Sequence, residues 1–168
     1  MLEGRATYIG LKVDDVVYVH EIIVSLTGGN GGLVSHGVLD LSLYTAWFEG
    51  GGDIVKYAAL VFYNIIVGHP FINGNKRTAL ISSEIILYCK GFELEAHDEE
   101  LINLTLKVAD GEVDKEYVTS WFKEKSGRSI LWEVKLPLNS KERRSRLRDL
   151  TLLLYQKRKI VYDTLAKY

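Results

Sequence analysis

The chain has 168 residues, 47% of them hydrophobic, and a formal net charge of −1. That length holds one well-buried core, or one domain with an appendage. No apolar run approaches the roughly 18 to 20 residues that cross a bilayer, and the opening MLEGRATYIG lacks the basic-then-apolar order of a signal peptide. A single cysteine, Cys89, excludes an internal disulfide and a cysteine-based zinc site; it fits a reducing, cytoplasmic setting with Cys89 as a core residue. The near-neutral total hides an asymmetry. Residues 129–168 carry ten Lys or Arg against four Asp or Glu, a net of +6, whereas the first 128 carry eleven against eighteen, a net of −7.

The dominant pattern along the chain is helical. In DDVVYVHEIIVSL (14–26), Val16, Val19, Ile23 and Leu26 recur at helical spacing, Asp14 is placed to cap, and the glycines from Gly28 stop the helix. GGNGGLVSHG (28–37) holds too many glycines for a regular element and reads as a loop, after which VLDLSLYTAWF (38–48) resumes helical spacing. The glycines at 50–52 lead to Asp53, an N-cap for IVKYAALVFYNIIVG (54–68), which is apolar nearly all round and so predicts a central buried helix. KRTALISSEIILYCKG (76–91) reads as a second core helix ending at Gly91, followed by amphipathic helices in DEELINLTLKVADG (98–111) and DKEYVTSWFKEK (114–125). ILWEVKL (130–136) alternates as a short strand would; Pro137 and Asn139 make a turn, and Ser140 caps a long basic helix over 141–168. There are no repeats or low-complexity tracts. The expected fold is mainly α, a compact helical core with a short β element and a basic C-terminal helix. The chain changes character at 126–129, which divides it into a domain over 1–125 and a basic extension over 126–168.

Between the two most apolar helices stands HPFINGNKRTAL (69–80). GHPFING is a short interhelical loop and NKRTAL opens a helix, whose first amides lack intrahelical partners and whose dipole end is positive. Gly74 allows a positive φ that turns successive N–H groups toward one point. Asn75 can hold the loop with its side chain, and Lys76 and Arg77 add two positive charges, the arginine as a planar fork suited to phosphate oxygens. Phe71 is expected inward. His69, at the end of the preceding helix, can face this cradle and take a proton from an attacking hydroxyl. Residue types and spacing alone leave two readings open: a phosphate site with its base, or a capping histidine beside an ordinary basic turn.

HPFINGNKRTAL closely resembles the signature of the Fic/Doc superfamily, whose pattern runs His-x-Phe-x-acid-Gly-Asn-(Gly or Lys)-Arg. VVYVHEIIVSLTGGNGG, AALVFYNIIVGHPF, CKGFEL and VADGEVDKEYVTSWF resemble its Doc-type (death-on-curing) branch in order and spacing, over roughly 11–125. The resemblance implies a compact helical core and ATP-dependent transfer of a phosphoryl or nucleotidyl group to a hydroxyl of a target protein. It makes His69 the general base, Phe71 the core anchor, and Gly74, Asn75, Lys76 and Arg77 the phosphate-binding loop. Lys76 stands where adenylyl-transferring members generally carry glycine, and Leu80 where they generally carry a second arginine. The resemblance therefore implies Doc-type phosphorylation by a toxin-type growth regulator, with translation elongation factor Tu as target and a small antitoxin as partner. Asn73 departs from the pattern: it offers a neutral carbonyl oxygen where an acidic residue normally helps hold Mg²⁺, which implies weakened metal binding. Fic-type adenylylation and a catalytically weak nucleotide-binding module stay open as alternatives.

TAWFEG (45–50) matches the short Ser/Thr-x-x-x-Glu-(Gly or Asn) pattern of the family's autoinhibitory helices, but it sits within a core helix and reads as an ordinary helix end. His20, His36 and His97 are expected to be structural, and the glycine clusters to shape surface loops, which near the cradle could guide a target segment. In the tail, KERRSRLR and QKRK could meet a nucleic-acid backbone by charge. LRDLTLLLY and IVYDTLA also supply an apolar face, so docking on the chain's own core or on a second copy, as a homo-oligomer, is expected in preference to nucleic-acid binding.

Overall fold

The structure is a computed structural model that describes residues 10–129 and 135–168. Among them, eight helices and one two-stranded sheet follow the order α1 (Val13–Thr27), α2 (His36–Gly50), α3 (Ile54–Gly68), α4 (Asn75–Tyr88), β1 (Phe92–Leu94), α5 (Asp98–Ala109), α6 (Lys115–Lys125), β2 (Ser126–Arg128), α7 (Ser140–Lys157) and α8 (Lys159–Leu165). The fold is mainly α, as expected. No helix among the described residues is long and apolar enough to cross a membrane.

α3 and α4 form the centre. Tyr57 to Phe62, Ile65 and Ile66 of α3 are buried, as is almost every residue of α4 from Arg77 onward. α3 is apolar all round because α2, α4 and α6 cover it on different sides. Asp53 caps α3 as expected, accepting from the amides of Val55 and Lys56. α2 starts on Ser35, whose Oγ accepts from Val38 N, and exposes Leu41, Tyr44 and Phe48 on its outer face.

Two expected caps move by one residue. At α1 the carboxylate of Asp15, not Asp14, reaches back to Lys12 N at 2.8 Å, because a carboxylate in the third helical position faces the free amide of the residue before the helix. At α7 the cap is Asn139, whose Oδ1 accepts from Lys141 N and Glu142 N, and Ser140 is the first helical residue. The apolar stripe of α1 closes on Val24 rather than Leu26, which is 38% exposed. α4 ends at Tyr88, and Gly91 completes the turn after it.

The strand expected over 130–136 falls mostly on residues 130–134, outside the described ones. The β element that is described lies elsewhere, where β1 and β2 pair antiparallel in the register Phe92↔Arg128, Glu93↔Gly127, Leu94↔Ser126. Three-residue strands are too short for alternation to show in a sequence. The apolar face of the basic tail, Leu147, Leu150 and Leu154 of α7 with Val161, Tyr162 and Leu165 of α8, is buried, with α7 packing on α1 and α8 on α5. Polar ties fix both helices. Arg143 grips Asp15 with Nε and Nη2 at 2.8 and 2.7 Å, and Arg158 pairs with Glu84 while its Nη2 donates to Leu94 O at 2.7 Å.

Candidate functional site

The loop between α3 and α4 is held from three sides. α3 stops at His69, the one non-glycine residue described with positive φ (50°), and Pro70 O then accepts from Val34 N and Ser35 N of the 28–35 loop. Phe71 points inward, 2% exposed, bridges to Leu33, and stacks on the His20 ring with centroids 3.8 Å apart and planes 9° apart. Asn75 pins the loop from the helix side: its Oδ1 accepts from Phe71 N at 3.0 Å and its Nδ2 donates to Phe71 O at 2.9 Å. From beneath, His20 Nε2 donates to Asn73 O at 2.7 Å. Gly74 then turns the chain into α4 at φ 80°; an added Cβ would lie 2.9 Å from Val24 Cγ2 and 3.3 Å from His20 Nε2, so the position needs glycine for conformation and for space.

α4 begins on Gly74 with no side-chain cap, and its first turn carries no acidic residue. Thr78 N makes the bond to Gly74 O, so the amides just before it have no intrahelical partner. The uncapped helix start faces a cavity of about 380 Å³, and His69, Asn73, Gly74, Asn75, Lys76 and Arg77 all line it. The six residues singled out in the sequence therefore meet at one place. No Asp or Glu side chain lines this cavity, and an anion entering it meets the helix dipole and two cationic side chains.

Each residue sits in its own way. Lys76 is half-buried and makes no hydrogen bond or ion pair among the described residues. Arg77 is only 4% exposed, and part of its fork is already committed, with Nη1 donating to Thr27 Oγ1 and to Gly28 O at 2.7 Å. Burial holds its pKa below the ordinary guanidinium value, but an arginine stays charged. The His69 side chain is exposed; its Nδ1 lies 3.5 Å from Asn75 Nδ2, at the outer limit of a hydrogen bond. His69 also lines a second hollow, of about 460 Å³, with Tyr63 and Val67 of α3 and with Glu112 and Asp114 beyond α5.

The Asn73 side chain works within the loop network: Oδ1 accepts from Asn30 N at 3.0 Å and Nδ2 donates to Ile72 O at 2.8 Å. One neutral, already engaged amide oxygen in a cavity without Asp or Glu side chains does not fit a resident Mg²⁺ ion, which takes hard, charged oxygen ligands. No group of three or more His, Cys, Asp or Glu able to hold a metal occurs among the described residues.

Several contributors were given no role at the cradle by the sequence. His20 sits on the buried face of α1 and is 1% exposed; a polar ring on an apolar stripe must find a partner, and that was the available signal. Its burial pushes the imidazole pKa down, with the Arg77 charge adding to this and the bond to Asn73 opposing it. Thr27, Gly28 and Asn30 hold Arg77 and Asn73 through the glycine-rich loop, which thus lies against the cradle. Leu165, Ala166 and Tyr168 line the same cavity from the tail. Glu49 of the TAWFEG stretch pairs with Lys115 at 3.0 Å and lines a different surface hollow, so that stretch is a helix end. His36 is exposed at the start of α2, and His97 precedes α5, its N–H bonded to Glu100.

The helical fold gathers an uncapped helix start, two cations and a histidine around one cavity, surroundings that favour an anion, and a planar guanidinium suits phosphate oxygens. The Fic/DOC family model matches residues 10–87, from just before α1 almost to the end of α4 and including the whole cradle, which supports a place in the Fic/Doc superfamily. That family is generally one of transferases. None of the curated proteins compared matches the chain.

Proposed function

We propose that this protein transfers the terminal phosphoryl group of ATP to a hydroxyl of a target protein, in the manner of the Doc-type branch. The observation that carries the reading is His69, whose exposed side chain lines both the cradle cavity and the hollow beside α3. A donor phosphate in the first and an acceptor hydroxyl in the second would meet at one imidazole. The hydroxyl oxygen attacks the γ-phosphorus and the γ–β bridging bond breaks. ADP leaves with that electron pair, and His69 takes the hydroxyl proton. The residues at 74–77 hold the phosphates through main-chain amides, Lys76 and the free side of Arg77.

Lys76 supports phosphoryl rather than adenylyl transfer. Its half-buried, unpartnered ammonium occupies and charges ground beside the helix start, where a glycine would leave room for a different seating of the phosphates. The partners that fit are a protein hydroxyl, with a translation elongation factor as the candidate target, and a small antitoxin.

One observation favours a second reading. The engagement of Asn73 by Asn30, in a cavity without Asp or Glu side chains, supports a nucleotide-binding module with little turnover. Incubating a lysate with the protein and ATP labelled at either the γ or the α position separates these. Phosphoryl transfer predicts γ-label on a protein, lost with His69→Ala; α-label indicates adenylylation. ATP binding without label above the His69→Ala background would leave the binding module as the better account.

A further inference from the structure

The cradle cavity has a wall that lies outside the span matching the Fic/DOC family model. Leu165, Ala166 and Tyr168 line it together with the 69–77 segment. This wall is held in place rather than draped. α8 is anchored by buried Val161, Tyr162 and Leu165 and by Arg158, whose guanidinium reaches Glu84, Leu94 O and Ala96 O. The turn after it is closed by Lys167 N to Thr164 O at 3.1 Å and Tyr168 N to Leu165 O at 3.2 Å. Yet the Tyr168 side chain is 69% exposed and makes no hydrogen bond, ring or cation contact among the described residues. Ile72, also on the cavity lining, is 58% exposed. The cavity therefore has a charged end at the start of α4 and open apolar and aromatic surface nearby, and its 380 Å³ lies within the roughly 300–1,000 Å³ of small-molecule sites. Inorganic phosphate would use only the charged end.

We propose that Tyr168, with Ile72, forms the platform for the flat ring of a nucleoside triphosphate whose phosphates rest on residues 74–77. The inference rests on the cradle being a phosphate site. It adds that the tail makes the site one for nucleotides, since an aromatic face stacks any base and is tolerant of which.

Calorimetric titration of the full chain with ATP and with inorganic tripolyphosphate, at matched magnesium, tests this. The wild type should bind ATP more tightly than tripolyphosphate. Tyr168→Ala should weaken ATP roughly tenfold, in the range a lost base stack produces, and leave tripolyphosphate unchanged, whereas Tyr168→Phe should keep ATP affinity. Because the side chain lies outside the core, both variants should fold as the wild type does. If Tyr168→Ala leaves ATP affinity unchanged, raises it, or weakens both ligands alike, the platform is overturned while the phosphate site stands. If the wild type binds neither ligand, the phosphate site itself is wrong and the platform falls with it.

Discussion

Gly74 sits at φ 80° with Val24 and His20 filling the space a Cβ would take, and its turn leads directly into the first residues of α4. Gly74→Ala should therefore cost about 1–3 kcal/mol of stability, from a left-handed backbone that L-residues resist and from the contact with Val24, and should reduce ATP binding at temperatures where the variant is still folded. Urea denaturation alongside titration checks this; a variant with unchanged midpoint and affinity would show that the turn is not needed. His20, beneath that glycine, makes stability depend on pH. Its folded pKa is lowered from 6.5 mainly by burial, so above that value the ring is neutral in both states and its contribution is intact. As the pH falls through 6.5 toward the folded value, the unfolded chain takes up the proton first and stability is lost. Denaturation midpoints at pH 7.5 and 5.5 should fall in that order, and His20→Gln, which can still donate to Asn73 O, should flatten the difference. An equal slope in the variant would assign the pH dependence to other groups.

At the level of elements, the interhelical motif could be read because it is local: histidine, glycine, asparagine and two cations within nine residues all line one cavity. The wall supplied by α8 could not. It depends on Arg158 finding Glu84, 74 residues away in the chain, and nothing near Arg158 announces that pairing. Burial pushes the Glu84 carboxyl up, and Arg158 and Lys157 pull it back down, so removing the arginine strands a buried acid. Arg158→Met should destabilise by about 3–5 kcal/mol and loosen α8 from the cradle, whereas pairing it with Glu84→Leu should recover most of the loss. If the single and double variants unfold at the same denaturant concentration, the pair is not what fixes α8. β1 and β2 were illegible for a different reason, since three residues give no period and the pairing joins segments more than 30 residues apart. The one-residue moves of the α1 and α7 caps reflect side-chain reach, which composition near a helix start does not settle.

For the whole molecule, part of the opposite charge of tail and body is matched in the packing. The basic tail meets the acidic body at Arg143–Asp15, Arg158–Glu84 and Lys157–Glu93, two of these ties buried and the third partly so. Three of the tail's ten basic residues are thus paired with the body, and the tail's apolar face is covered by it. The same packing brings Leu165 and Tyr168 to the cradle, so the family-matched core and the tail share one cavity. The proposed phosphate site of this cavity is built on the start of α4. Amide chemical-shift mapping of the labelled protein during titration with ATP tests it most directly. The largest shifts are expected at Gly74, Asn75, Lys76 and Arg77, most of them lost in Arg77→Ala; shifts confined to the basic residues of α7 would rule the phosphate site out.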